Sequence, residues 1–349
     1  MTLASSPPQR RVGIVGLGMA HKPHLAGLRD LADRVAIGAC FAPSPDRRAA
    51  FAAANPDLPV VDSLDAVLDD PSISAVLVLT PPNTHLEIVE RCAAAGKHVL
   101  LEKPIEISLE RASRTVETME QAGLKLGVML QFRFRDSSRR LREILAAGGL
   151  GEVISASASV RWWRTPEYYA TPGRGMKARD GGGVLITQAI HTLDLFQSLA
   201  GPIARVSAMA VTSPLRRIDT EDIAAVAVGF ANGAIGTIDA TTVAYPGFPE
   251  QIEIAGSRGT ARWGFNALEV WWQDGRHERV EGDTGGGGGA DPMAFSHEAH
   301  GAVIADFLRA LDEGREPAVS GREALRVHRL IQAILASAES RREVAVPQE

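Results

Sequence analysis

A lysine and a histidine, each beside a backbone-shaping residue, are the candidates for chemistry in this chain. Lys103 sits in Glu102-Lys103-Pro104, directly after the apolar run Val99 to Leu101. The carboxyl ends of strands in an open parallel sheet are where ligands collect. Desolvation and a neighbouring positive charge lower a lysine pKa, so an amine placed there exchanges protons near neutral pH. A plain surface lysine at a strand end is the alternative. His191 lies in the stretch from Gly181-Gly182-Gly183 to Asp194, where Leu185, Ile186, Ala189, Ile190 and Leu193 predict a helix. Thr187, His191 and Asp194 fall at i, i+4 and i+7 and so share one stripe of it. A histidine there, behind glycines that let backbone pass close to a neighbour, suits removal of an alcohol proton, with Asp194 orienting its ring. A lone helical histidine is commonly structural; its pairing with Lys103 favours chemistry.

A third motif is Gly16-Leu17-Gly18-Met19-Ala20-His21, after a predicted strand and opening a helix. In that context Gly16 permits the tight turn, and Gly18 lets backbone approach a pyrophosphate at the positive helix end. His21 or Ala20 occupies the third small position. Such a turn binds a dinucleotide. The end of the second strand normally carries an acid for the ribose diol, but near Ala42 there is none, and Ser44, Arg47 and Arg48 follow. Without the acid a 2′-phosphate is not repelled, which leans the cofactor to NADP, with NAD the alternative. A fourth cluster is Arg161-Trp162-Trp163-Arg164, Tyr168-Tyr169 and Gly173-Arg174-Gly175. Flat apolar faces beside polar groups suit a polyhydroxylated ring; Trp163, Arg164, Tyr168 and Arg174 are its candidate contacts. An aromatic core or interface is the competing interpretation.

The elements that must position these groups are legible. Apolar runs at residues 11–16, 35–40, 75–79, 99–101 and 126–130 alternate with helical patterns, which predicts a doubly wound parallel sheet over residues 1–130. Residues 131–349 open with a helix, Arg139 to Leu145, and then read as β-rich: Val153 to Trp163, Val206 to Thr212, Ile223 to Phe230, Ala234 to Val243, Gln251 to Ala255 and Val270 to Trp272. The hairpin signal Asn232-Gly233 makes that sheet mainly antiparallel, with one face open to helices or another subunit. The fold class is thus an α/β Rossmann domain followed by an α+β domain. Two helices, near His297 to Asp312 and Gly321 to Ser340, close the chain and are candidates to pack back on the first domain; Gly285 to Gly289 reads as a mobile loop.

Bulk properties narrow the function. The 349 residues carry a net charge of −5, which gives no electrostatic case for nucleic acid or an anionic membrane. No run is apolar enough to span a bilayer. Arg10-Arg11 before an apolar run mimics an export signal, but glycines interrupt the run, and a first strand is the better reading. Cys40 and Cys92 read as buried free thiols of a reducing, cytoplasmic compartment. Zinc-hydrolase and serine-hydrolase motifs are absent, and His297 with His300 lacks a nearby third metal ligand in sequence.

Taken together, the stretches GLGMAHKPH, TPPNTH, AGKHVLLEKP, DGGGVLITQAIHTLD and the run from Phe230 to Trp263 resemble the Gfo/Idh/MocA oxidoreductases over nearly the whole chain. The resemblance implies a nicotinamide-dependent enzyme acting on a sugar, cyclic polyol or derivative, commonly a homodimer or homotetramer. It implies that Lys103 lies beside nicotinamide and substrate and that His191 is the catalytic histidine. It further implies that Glu102 and Pro104 shape the turn and that Thr80, Pro81, Asn83 and His85 line the cofactor side; Gly16, Gly18, Met19, Ala20, Ala42, Ser44 and Arg47 are the other candidate cofactor contacts. Thr187 departs from the aspartate that many members carry: either Lys103 and His191 act without a carboxylate, or Thr187 only hydrogen-bonds the substrate. Two other readings stand beside this one: a non-catalytic cofactor sensor, and redox-assisted hydrolysis or elimination with retained NAD.

Overall fold

Five apolar runs, buried on both faces, build the first unit. The computed structural model describes residues 9–171, 173–282 and 296–348; the run Gly285 to Gly289 lies outside the described residues. Strands β1 (Arg10–Val15), β2 (Val35–Phe41), β3 (Ile73–Val78), β4 (His98–Leu101) and β5 (Leu126–Val128) form a parallel sheet in the order β2-β1-β3-β4-β5. Val12, Val76, Val99 and Leu100 are fully buried, as strands covered on both sides require. The order reverses at β1, so the crevice outside the carboxyl ends of β1 and β3 is the place for a ligand. Helices α1 (His21–Asp30), α2 (Pro45–Ala54), α3 (Asp65–Leu68), α4 (His85–Ala94) and α5 (Leu109–Gln121) connect the strands. Local chemistry sets their starts: Ser44 caps α2 by accepting from Arg47 N, with Pro45 in the first turn, and Ser108 caps α5 by accepting from Arg111 N.

The contact-dense units are not a simple split at residue 130. Residues 297–324 belong with residues 1–129, and the second unit comprises 130–296 and 325–349. Within the first unit, the helix Glu298–Glu313 packs on α1. Gly27 and Gly301 make this possible, since a Cβ on Gly27 would lie 2.9 Å from Gly301 Cα.

The second unit holds a nine-stranded sheet. Its strands are β6 (Val153–Arg161), β7 (Ile203–Val211), β8 (Ile223–Phe230), β9 (Ile235–Thr241), β10 (Gln251–Gly256), β11 (Gly259–Gly264), β12 (Ala267–Trp272), β13 (His277–Glu281) and β14 (Val344–Ala345). They run in the order β13-β12-β11-β10-β6-β9-β8-β7-β14. The β6–β9 pair is parallel and the other pairings are antiparallel. The register puts Ala156, Ala158, Ile238, Val226, Ile252, Ile254, Trp263 and Leu268 on one face, all buried. Helices α6 (Asp136–Ala146) and α10 (Ile190–Ala200) cover it. The opposite face presents Ser155, Thr237, Ala225 and Ala227, and leaves Met209 73%, Ile235 64% and Val211 54% exposed.

Some expectations change. The first long strand of the second unit ends at Arg161 rather than Trp163, because Pro166 opens the short helix α7 (Pro166–Ala170) soon afterwards. Strands β11 and β13 carry weak apolar alternation; β13 is the charged sequence HERVE at a sheet edge, a residue choice that protects edges from further pairing. A second short helix, α8 (Lys177–Asp180), precedes the glycine run, and the predicted helix through His191 is broken into α9 (Val184–Thr187) and α10. Among the described residues no helix is long and apolar enough to cross a membrane.

Candidate functional site

The first unit gathers the predicted cofactor residues at one sheet edge. Gly16 has φ +109°, and a Cβ on it would lie 2.6 Å from Leu79 C and 2.8 Å from Thr80 N. Only glycine lets the β1 turn pass so close to the end of β3. A Cβ on Gly18 would meet nothing within 4 Å, so the space before this amide is open. Helix α1 has no side-chain cap and no acid in its first turn, which leaves its amino end electropositive toward that space. Met19 is exposed beside it. Ala42 is buried at the end of β2, Ser44 is engaged as the α2 cap, and Arg47 is exposed. Arg48 donates to Ala42 O at 2.8 Å and Pro43 O at 3.0 Å, so its guanidinium holds the strand end. The open amide, the uncapped helix and the glycine turn fit a dinucleotide pyrophosphate.

The Thr80 turn is built from the inside. His85 is fully buried, its Nε2 is 2.8 Å from Thr80 O, and its Nδ1 is 3.1 Å from both Pro104 O and Ile105 O. Burial pushes its pKa down. This corrects the expectation for His85: its ring ties the Thr80 turn to the segment after Lys103 and is not on the surface that a cofactor would touch. Thr80 and Pro81 are half-buried and Asn83 is exposed, in a 3₁₀ turn over Pro82–Thr84.

Lys103 follows β4 in a segment held on both sides. Glu102 N donates to Val78 O at 2.9 Å. Glu102 Oε2 accepts from Lys103 N at 3.0 Å, and Oε1 lies 2.6 Å from His24 Nε2 on α1. His24 in turn meets the His300 ring edge-on at 5.3 Å. Burial alone would raise the Glu102 carboxyl, but the His24 hydrogen bond and the charges of His24, Lys103 and His300 outweigh it and hold it at about 2. The Lys103–Pro104 peptide is cis. Further on, buried Glu106 accepts from Ile107 N at 2.5 Å and from Arg111 at 2.7 Å. His24, Glu102 and His300 offer ligand atoms within 4.8 Å of one another and form the one group among the described residues able to hold a metal ion. His297, three residues before His300, has its Nε2 2.7 Å from Asp30 Oδ2.

The second unit carries the remaining candidates. His191 is 8% exposed and stacks on Phe132 with ring centroids 5.0 Å apart. Phe132 lies in turn under the Arg135 guanidinium at 3.8 Å. Asp194 is turned away from solvent, which corrects the expectation that it contacts substrate. It is fully buried and takes a fork from Arg133, with Nε to Oδ2 at 2.7 Å and Nη2 to Oδ1 at 2.6 Å. The break before α10 separates Thr187, at the end of α9, from the helix that carries both His191 and Asp194. Thr187 Oγ1 donates to Gly183 O at 2.6 Å and also contacts Gln188 Oε1. The neighbour that the glycine run approaches is Glu221: a Cβ on Gly183 would lie 1.7 Å from its carbonyl oxygen, and its carboxylate accepts from Gly183 N at 3.0 Å and Leu185 N at 3.1 Å. Burial pushes that carboxyl up despite the two amides.

The aromatic cluster is real and cation-rich. Tyr168 OH accepts from Arg174 Nη1 at 2.6 Å and Gln188 Nε2 at 3.1 Å. Arg174 lies over the Tyr168 ring at 4.5 Å, and Arg164 over Trp162 at 4.6 Å. Arg164 is only 3% exposed, so it belongs to the inside of the cluster. Trp163 meets Tyr245 edge-on, and Arg216 lies over Trp163 and Tyr169. Phe132, Gln188, Glu221 and the His24–His300 pair were missed in the sequence. The run Gln131-Phe132-Arg133-Phe134-Arg135 after β5 was the available signal for the first of these.

Comparison with known proteins agrees with this architecture. Residues 10–130 match the oxidoreductase family with an NAD-binding Rossmann fold, and residues 138–262 match the GFO/IDH/MocA C-terminal domain. An inositol 2-dehydrogenase of Leifsonia xyli is 30% identical, with 79% of each chain covered. One from Rhizobium meliloti is 26% identical, over 96% of this chain and 99% of that one. The WlbA dehydrogenase of Bordetella pertussis, solved in complex with NADH and UDP-GlcNAcA, superposes with a TM-score of 0.83 at 27% identity, covering 98% of this chain and 100% of that chain. A levoglucosan dehydrogenase, solved with NADH and levoglucosan, shares the fold with a TM-score of 0.87 at 23% identity, covering 98% of this chain and 100% of that chain. With the glycine turn, the Glu102-Lys103-Pro104 strand end and the mixed nine-stranded sheet all in place, the chain belongs to the Gfo/Idh/MocA family of oxidoreductases and carries its NAD-binding Rossmann domain.

Proposed function

We propose that this oxidoreductase is an NAD(P)-dependent dehydrogenase moving a hydride between the nicotinamide and a carbinol or carbonyl carbon of a sugar, cyclic polyol or sugar derivative. The observation that carries the reading is the braced strand end, where Glu102 and His85 fix the backbone on either side of Lys103 at the same sheet edge as the glycine turn. The inositol and levoglucosan dehydrogenases among its relatives support the substrate class. When bound, the nicotinamide supplies the hydride acceptor. Gly16, Gly18, Met19 and Ala20 hold the pyrophosphate side, and Thr80, Pro81 and Asn83 the turn beside it. His191 takes the hydroxyl proton, and the Lys103 ammonium polarises the oxygen and stabilises the negative charge that develops on it. The test is absorbance of the reduced nicotinamide against a panel of polyols and sugars. Substrate-dependent growth of the signal is expected. Binding without turnover points to a sensor, and product formation without net reduction points to redox-assisted elimination; either overturns the reading.

Cofactor preference and assembly belong to the same proposal. NADP is accepted at least as well as NAD, because the end of β2 offers no carboxylate near Ala42 while Arg47 is exposed in the first turn of α2. Arg47→Ala is expected to lower the NADP:NAD ratio of kcat/KM; a large wild-type preference for NAD overturns this point. The open sheet face, with Met209, Ile235 and Val211 exposed, is the surface of a homodimer or homotetramer. Light scattering of the wild type and of Ile235→Glu checks it, with a monomeric wild type the contrary result.

A further inference from the structure

Three guanidinium groups gather around Tyr168 and Tyr169. The Arg174 side chain makes one hydrogen bond among the described residues, from Nη1 to Tyr168 OH, and no carboxylate pairs with it. Arg216 donates to the carbonyl oxygens of Arg164 and Leu215 and likewise has no carboxylate partner among the described residues, and its Nε is buried without an acceptor. The two tyrosine rings lie 5.0 Å apart, with Arg174 over one and Arg216 over the other. Arg164 adds a third positive charge beneath them; burial pushes its pKa down, and the charge of Arg174 pushes the same way.

The carboxylates nearby are already engaged. Glu250 is buried against Trp162 Nε1 at 3.3 Å and Arg135 at 3.9 Å. Asp180 accepts from Gly175 N at 2.9 Å and faces Arg179 at 3.6 Å. Glu221 caps α9. Gln188 Oε1 accepts from Thr187 Oγ1, and Tyr168 OH from Gln188 Nε2. A neutral sugar hydroxyl both donates and accepts, and a site built for it offers both kinds of group. Arg174 and Arg216, guanidinium donors with no carboxylate partner among the described residues, complement a group that only accepts, and a fork of N–H groups matches an oxyanion bidentately.

Resting on the dehydrogenase reading above, we infer that the substrate is an acidic sugar, bearing a carboxylate or phosphate that Arg174 holds and whose charge Arg164 and Arg216 help to balance. The chain Arg174–Tyr168–Gln188–Thr187 connects this anchor to the segment that carries His191, so the oxyanion fixes which ring carbon is presented to that histidine.

Calorimetric titration at saturating NADH tests it, using hexuronates and hexose phosphates, each against its neutral parent sugar. At least one anion is expected to bind tenfold or more tightly than its parent, and the uronate and phosphate arms identify which oxyanion is recognised. Arg174→Ala is expected to erase about tenfold to a hundredfold of that preference, with Arg174→Lys restoring part of it. Equal binding of anions and parents, or a preference that survives in Arg174→Ala, overturns the inference. Absorbance of the reduced nicotinamide separates this from the wider reading. Anion-selective binding without reduction defeats the dehydrogenase assignment alone, and oxidation of neutral sugars with no anion selectivity defeats the acidic-sugar assignment alone.

Discussion

Replacing Glu102 by glutamine removes one charge from the brace behind Lys103 and keeps its shape. The carboxyl is held at about 2 against an ordinary 4.5. A shift of that size corresponds to about 3 kcal/mol of folded-state stabilisation at neutral pH, since one pKa unit is ~1.4 kcal/mol. Glu102 is only 13% exposed, so solvent screening takes little from this figure. Because the folded pKa lies below the unfolded one, the contribution is fully present above about pH 4.5 and fades as pH falls toward 2. Urea unfolding of wild type and Glu102→Gln at pH ~7.5, ~5 and ~3.5 reads it directly. The gap between the two proteins should be of the order of a few kcal/mol at the two higher values and smaller at the lowest. A gap below about 0.5 kcal/mol at neutral pH, or one that widens in acid, refutes the electrostatic account of the brace. Since Oε2 also accepts the Lys103 amide, turnover should fall more than cofactor affinity in the same variant.

Gly16→Ala should abolish dinucleotide binding and destabilise the first unit by roughly 2 kcal/mol or more, because φ is +109° and the added Cβ meets the backbone of Leu79 at 2.6 Å; NADH fluorescence titration and thermal unfolding check both effects. Asp194→Asn should cost about 3–5 kcal/mol by leaving the Arg133 guanidinium buried without its counter-charge. Denaturant unfolding measures that loss, and a change below ~1 kcal/mol would show the fork to be incidental.

The first unit was the most legible part of the chain. Strands buried on both faces are continuous apolar runs, and Gly16, Ser44 and Ser108 punctuate them where the backbone needs a turn or a cap. The second unit was less so: β11 and β13 mix small and charged residues, since their pairing is set by partners far along the chain. The same distinction runs through the site. Lys103 and the glycine turn are local signals. The brace of Glu102 by His24 and His300, and the capture of Asp194 by Arg133, join residues 61 or more positions apart and leave no periodicity to read. The broken helix between Thr187 and Ile190 had no proline or glycine to announce it; it follows a short helix whose start is fixed by Glu221, a residue of another segment.

The proposed function requires both the Lys103 amine and the His191 imidazole for hydride transfer. Single-turnover formation of reduced nicotinamide, with Lys103→Ala and His191→Ala beside wild type, tests it most directly once a substrate is in hand. Each variant should fold, bind the reduced cofactor and transfer hydride at least about 10²-fold more slowly, as loss of a proton acceptor or of the group stabilising the oxyanion requires. Hydride transfer at close to the wild-type rate in either variant would contradict the account.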